Sequence, residues 1–154
     1  MSPDPESAVK NPSYRQVCSG TTGHVEVLYV ELEPSDNLET VYRDLVRFFF
    51  QFHDPTTPNR QGNDAGPQYA SALFCADENQ RKIAQQVKED LQAQLNQGFK
   101  SGYAAKTVET GIFDLSEFFP AHEEHQQYLE KTPNGYCNHF MRFKEWPPSP
   151  QNEL

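Results

Sequence analysis

Basic residues are scarce in this chain. Thirteen Lys and Arg stand against 22 Asp and Glu, a formal net charge of −9 over 154 residues. Nucleic-acid partners are gripped by clustered Lys and Arg on phosphate, so that class is excluded as the main partner. Cysteine is also scarce. Cys18, Cys75 and Cys137 are odd in number, widely spaced and free of any C-x-x-C arrangement. That pattern argues against a disulfide-stapled secreted domain and for a reducing compartment, the cytoplasm. No run of about 18 apolar residues is present, so no membrane span is expected. The opening MSPDPESAVK has no apolar segment of the kind a secretory signal needs. Tryptophan occurs once, at Trp146.

What is there reads as globular: 36% hydrophobic, 12% aromatic and 23% charged residues. No internal repeat or linker divides the chain, so one domain over 11–146 is expected, with a disordered stretch at 1–10 and a flexible tail at 147–154. GHVEVLYVELEP (23–34) alternates Val25, Val27 and Tyr29 against His24, Glu26, Leu28, Val30 and Leu32. Both faces are largely apolar, which predicts an inner strand covered on both sides. Asp36 and Glu39 form a capping-box pattern before a helix whose wide apolar face runs from Leu38 to Phe52. QYASALFCAD (68–77) predicts a second strand. Asp77 and Gln80 cap a second helix, with Ile83, Ala84, Val87, Leu91 and Leu95 as a narrow stripe. KTVETGIFDL (106–115) predicts a third strand, and 121–131, opened by Pro120, a short helix. Strands and helices in that order imply a layered mixed α/β sandwich.

Several residues carry possible chemistry. Glu26 sits among valines, where a carboxylate is costly and the proton is favoured; the alternative is an edge position open to water or paired with His24. HDPTTPNRQGNDAGPQY (53–69) is longer than the usual ~4–6-residue connection and holds Asp64 and Tyr69. It is either the wall of a site or a solvated loop. Cys75 reads as a buried small hydrophobe. Cys18 has no evident base beside it. Cys137, among turn residues near the end, suits disulfide exchange or is an idle surface thiol. His122 and His125, three apart on one helix face, can join Cys137 or His139 in a zinc site, although a solvated face explains them more simply.

Taken together, NPSYRQVCSGTTGHVEV (11–27), HDPTTPNRQGNDAGPQYASALF (53–74) and AHEEHQQYLEKTPNGYC (121–137) resemble the A-type peptide methionine sulfoxide reductase family. The resemblance implies a ferredoxin-like α+β two-layer sandwich with a mixed sheet and long irregular loops. It implies that Tyr14 and Tyr69 bond the sulfoxide oxygen, that Glu26 protonates it, that Asp64 helps order the site, and that Cys137 is the resolving thiol. It further implies reduction of methionine S-sulfoxide, in oxidised proteins or free, by a monomer with no bound cofactor and with thioredoxin as reductant. One part of the family pattern is missing. The attacking cysteine belongs to a Gly-Cys-Phe-Trp motif that does not occur here. The resemblance therefore implies that the family's first strand and helix are lacking, leaving apolar surface and a sheet edge uncovered. The alternative to a reductase is a catalytically inactive module that binds methionine sulfoxide.

Overall fold

The structure, a computed structural model, describes residues 1–148. Its most regular part is a parallel β-α-β unit. Strand β3 (Ala72–Cys75) leads through helix α3 (Glu78–Asn96) to strand β4 (Gly111–Asp114), which pairs with β3 in register from Ala72 opposite Gly111 to Cys75 opposite Asp114. Asp77 caps α3 as expected: its side chain accepts a hydrogen bond from the Gln80 amide at 2.8 Å. The expected apolar stripe of α3 is the core. Ile83, Ala84, Val87, Leu91 and Leu95 are all buried and pack with Val46 and Phe50 of helix α2 (Leu38–Phe52), with Cys75 and with Val108.

Before this unit come the short helix α1 (Tyr14–Cys18) and α2. The hairpin of β1 (Arg60–Gln61) and β2 (Asp64–Ala65) follows, and then a 3-10 turn at Pro67–Tyr69. After it come a 3-10 turn at Glu123–His125 and helix α4 (Tyr128–Lys131). The architecture is α+β, with long irregular segments. No helix among the described residues is long and apolar enough to cross a membrane.

The segment 23–34 departs from its reading as an inner strand. The Val25 N–H bonds the Met1 carbonyl at 2.8 Å and the Glu26 N–H bonds the Gln68 carbonyl at 2.9 Å. Among the described residues, none of the N–H groups from 27 to 33 donates to a backbone carbonyl. Periodicity reports apolar content, whereas a strand also needs a neighbour to form a ladder with. Without one, Leu28 is 87% exposed, and Tyr29 and Val30 are exposed beside it. The other two predicted strands shrink to four residues each for the same reason. The 121–131 helix is broken as well, because Gln127 takes a left-handed conformation (φ 51°) between the 3-10 turn and α4.

Helix α2 is half covered rather than well buried. Val46 and Phe50 are in the core, while Leu38, Val41, Phe48 and Phe52 are exposed. Its predicted capping box does not form. Asn37 holds the cap position without a side-chain bond, and the Glu39 carboxylate instead accepts from the Asn79 amide at 2.9 Å.

Within residues 1–10 the first two are packed and most of 3–10 is exposed. Met1 and Ser2 are buried; the Ser2 N–H donates to the Ser116 hydroxyl at 3.0 Å, and its own hydroxyl to the Gly23 carbonyl at 2.8 Å. Of the predicted flexible tail, Pro147 is buried, Pro148 is exposed, and 149–154 lie outside the described residues.

Candidate active site

The two exposed apolar surfaces face each other. Segment 26–32, the open side of α2 and the edge of β3 enclose a groove of about 770 Å³. Glu26, Asp64 and Tyr69 line it, together with Gln61, Asn138 and His139. The 53–69 segment is thus a wall of this groove and not a solvated connector. Its polar start is buried but satisfied. The Asp54 carboxylate accepts from the Thr56 N–H at 3.0 Å, the Thr56 hydroxyl at 2.6 Å and the Ala104 N–H at 2.8 Å. His53 is tied on both nitrogens. Nδ1 lies 2.5 Å from the Phe49 carbonyl, which can only accept, so Nδ1 carries the proton. Nε2 must then accept from the Ser71 hydroxyl at 2.8 Å, and Ser71 accepts from Thr110 at 2.7 Å. Burial holds His53 down at about 4.

Gln68 is the local hub. Its carbonyl takes the Glu26 N–H, and its side-chain amide donates to the Cys18 carbonyl at 3.1 Å. That brings α1 against the loop. Gly20 runs at φ 71°, and a Cβ there would lie 2.8 Å from the Gln68 side-chain oxygen, so the turn after α1 needs glycine twice over. Sequence reading passed over Gln68, since its importance lies in contacts between segments some fifty residues apart.

Tyr14 opens α1 after a Ser13–Gln16 capping box. Its ring stacks on His125 at 4.2 Å between centroids and leans on His122 at 5.4 Å. A hydrogen bond with the Cys18 side chain, then burial and the charge of Glu26, push its hydroxyl up to about 12. It therefore stays a donor at any physiological pH. Tyr69 is also raised, first by burial and then by Glu26.

Glu26 itself is exposed along the groove wall, which is the open alternative of the sequence reading. The surrounding protein still raises its carboxyl above the usual range by desolvation. Asp64 adds to that rise and His125 opposes it. Asp64 and His125 thus act on the Glu26 carboxyl, and Glu26 in turn acts on the hydroxyls of Tyr14 and Tyr69.

Cys137 is exposed, with its thiol 3.9 Å from the His139 carbonyl, and does not line the groove; its neighbours Asn138 and His139 do. Cys18 is exposed and Cys75 is buried, as expected, with the Tyr42 hydroxyl 3.5 Å from its sulfur. The rings of His122 and His125 pack against Tyr14. Among the described residues no group of three or more His, Cys, Asp or Glu is arranged to hold one.

The family model for peptide methionine sulfoxide reductase matches residues 5–147. The chain belongs to the peptide methionine sulfoxide reductase family. Its similarity to a peptide methionine sulfoxide reductase MsrA of Azotobacter vinelandii is 49% identity over 127 residues, covering 82% of this chain and 55% of that protein. A probable peptide methionine sulfoxide reductase of Schizosaccharomyces pombe is 41% identical, covering 86% and 74%. Among solved structures, reduced Mxr1 from Saccharomyces cerevisiae superposes with a TM-score of 0.75 at 37% identity, covering 90% of this chain and 72% of that one. Methionine sulfoxide reductase A of Corynebacterium diphtheriae gives 0.67 at 36% identity, covering 85% and 62%. The chain therefore spans about half to three quarters of the length of these family members.

Proposed function

We propose that the groove binds the sulfoxide of an oxidised methionine and takes part in its reduction to the thioether. The observation that carries this reading is the grouping of Glu26, Asp64 and Tyr69 around one groove, with Tyr14 near enough to feel the charge of Glu26. A sulfoxide sulfur is a poor electrophile, because its oxygen holds the negative end of the bond. Two phenolic hydroxyls donating to that oxygen, and a proton from Glu26, draw charge off it. A thiolate can then attack sulfur. The methionine leaves as thioether and the attacking thiol is left as a sulfenic acid. A second thiol condenses with it, releasing water and forming a disulfide. Thioredoxin's dithiol reduces that disulfide by exchange, so two electrons and two protons enter per sulfoxide. Cys137 is the resolving thiol in this scheme, the S epimer is the substrate, in proteins or free, and the acting form is a monomer with no bound cofactor. Asp64 steadies the Glu26 side of the groove.

The second reading is a module that binds the sulfoxide without reducing it. It is favoured by one fact: no cysteine among the described residues lines the groove. A thioredoxin-coupled assay on a peptide carrying methionine S-sulfoxide separates the two. Turnover that disappears in Cys137→Ser supports reduction; sulfoxide-dependent thermal stabilisation without turnover supports binding alone. Neither turnover nor stabilisation would remove both.

A further inference from the structure

We propose that Asn138 is a positioning residue that locks the Cys137 segment onto the β1–β2 hairpin, so that one amide sets both the aim of the Asp64 carboxylate and the resting place of the Cys137 thiol. The side-chain nitrogen of Asn138 lies 2.7 Å from Asp64 Oδ2, 2.6 Å from the Gln61 carbonyl oxygen and 3.3 Å from the Tyr136 hydroxyl. A carboxylate and a carbonyl only accept, so the NH₂ end must face them, and its two hydrogens serve the two short bonds. The bond to Asp64 is charge-assisted and so the stronger of the two.

The hairpin is shaped to receive this side chain. Gly62 turns it at φ 57°, and a Cβ on Gly62 would stand 3.0 Å from the Asn138 Cβ and 3.2 Å from its amide nitrogen. Glycine here meets two needs at once, the left-handed turn and the seat for Asn138. Downstream, the Arg142 N–H donates to the Gln51 carbonyl at 2.7 Å and the Gln51 amide to the Lys144 carbonyl at 2.8 Å. The chain is thus fastened to α2 beyond the site. Asn138 is the tie on the Cys137 side, and residues 121–134 before it are exposed throughout.

The consequence reaches Glu26. The charged groups acting on its carboxyl are Asp64 and His125; Glu26 in turn acts on Tyr14 and Tyr69, and Asp64 acts on His139. Holding the Asp64 carboxylate in the groove keeps a negative charge near Glu26 and favours its protonated form. The inference deepens the proposed function and rests on it for the meaning of Asp64 and Cys137. Its test does not use reductase activity, so the two can fail separately.

The test is a carboxyl ¹³C titration of Glu26 in the full chain, compared between wild type, Asn138→Ala, Asn138→Asp and Gly62→Ala. In Asn138→Ala the Asp64 carboxylate loses its tether and turns to water, so the Glu26 midpoint moves down. Gly62→Ala, which evicts the side chain without altering it, moves the midpoint the same way. Asn138→Asp keeps the size but loses both donors, so the Asp64 tether is lost there as well. No downward shift in Asn138→Ala overturns the proposal, whether or not Gly62→Ala folds. Amide exchange in Asn138→Ala should speed up over 135–139 and over 60–66 together. Acceleration confined to one of these segments would also overturn it.

Discussion

The two sides of α2 present opposite environments to one helix. On the inner side Val46 and Phe50 meet α3, and the contact is regular and closed. On the outer side Phe48 and Phe52 face the groove, and Leu28 across it stands almost free. Apolar residues are equally abundant on both sides, so composition does not separate them. What separates them is whether a neighbouring element completes the contact. The closed side supplies stability. The open side leaves a groove lined by Glu26, Asp64 and Tyr69.

Core truncation breaks this comparison most sharply. Leu91→Ala removes a fully buried side chain and should cost about 2–5 kcal/mol in denaturant unfolding. Leu28→Ala should fall within about 0.5 kcal/mol of wild type. Equal losses at the two positions would contradict the division into closed and open sides.

Acid comes next. His53 is buried neutral, its ordinary value of 6.5 lowered to about 4. The unfolded chain therefore takes up its proton first, and stability falls as pH drops from about 6.5 towards 4. The full shift is worth about 3 kcal/mol. Unfolding free energies measured across that window should show the slope in wild type and much less of it in His53→Gln.

Removing the cap of α3 has a smaller effect. Asp77→Ala should cost about 1 kcal/mol, because the Gln80 N–H loses its acceptor. Asp36→Ala, at the capping box that does not form, should be close to neutral. Thermal melts of the two variants side by side check the contrast.

Glu26 gives the smallest stability effect and the clearest sign. Its raised value means that the folded state holds the proton more tightly than the unfolded chain does. The resulting stability is present below the ordinary Glu value and is lost as pH rises through the raised one. Glu26→Gln should flatten that fall, a slope readable in unfolding curves taken from pH 4 to 8.

The closed side was legible in the sequence because its signals are local. The stripe of Ile83, Ala84, Val87, Leu91 and Leu95, the Asp77 cap and the buried Cys75 all follow from spacing within one segment. The capping pattern at Asp36 looked equally good and did not form, since Asn37 took its place. The 23–34 strand misled because alternation cannot show whether a partner strand exists. On the open side, motifs pointed to Tyr14, Glu26, Asp64 and Tyr69, but the residues that hold them were invisible. Gln68 and Asn138 act through bonds to positions 50 and 74 residues away. No periodicity reports such contacts.

The account stands on a sulfoxide oxygen being polarised in this groove by Glu26 with its neighbouring phenols. The direct measurement is chemical-shift mapping of the chain with N-acetyl-methionine S-sulfoxide amide, repeated across pH and with Glu26→Gln. The account predicts perturbations clustered at Tyr14, Glu26, Asp64 and Tyr69, with affinity that weakens as pH rises through the Glu26 ionisation and a weakening that Glu26→Gln abolishes. Perturbations centred elsewhere, or affinity indifferent to both pH and the substitution, would contradict it.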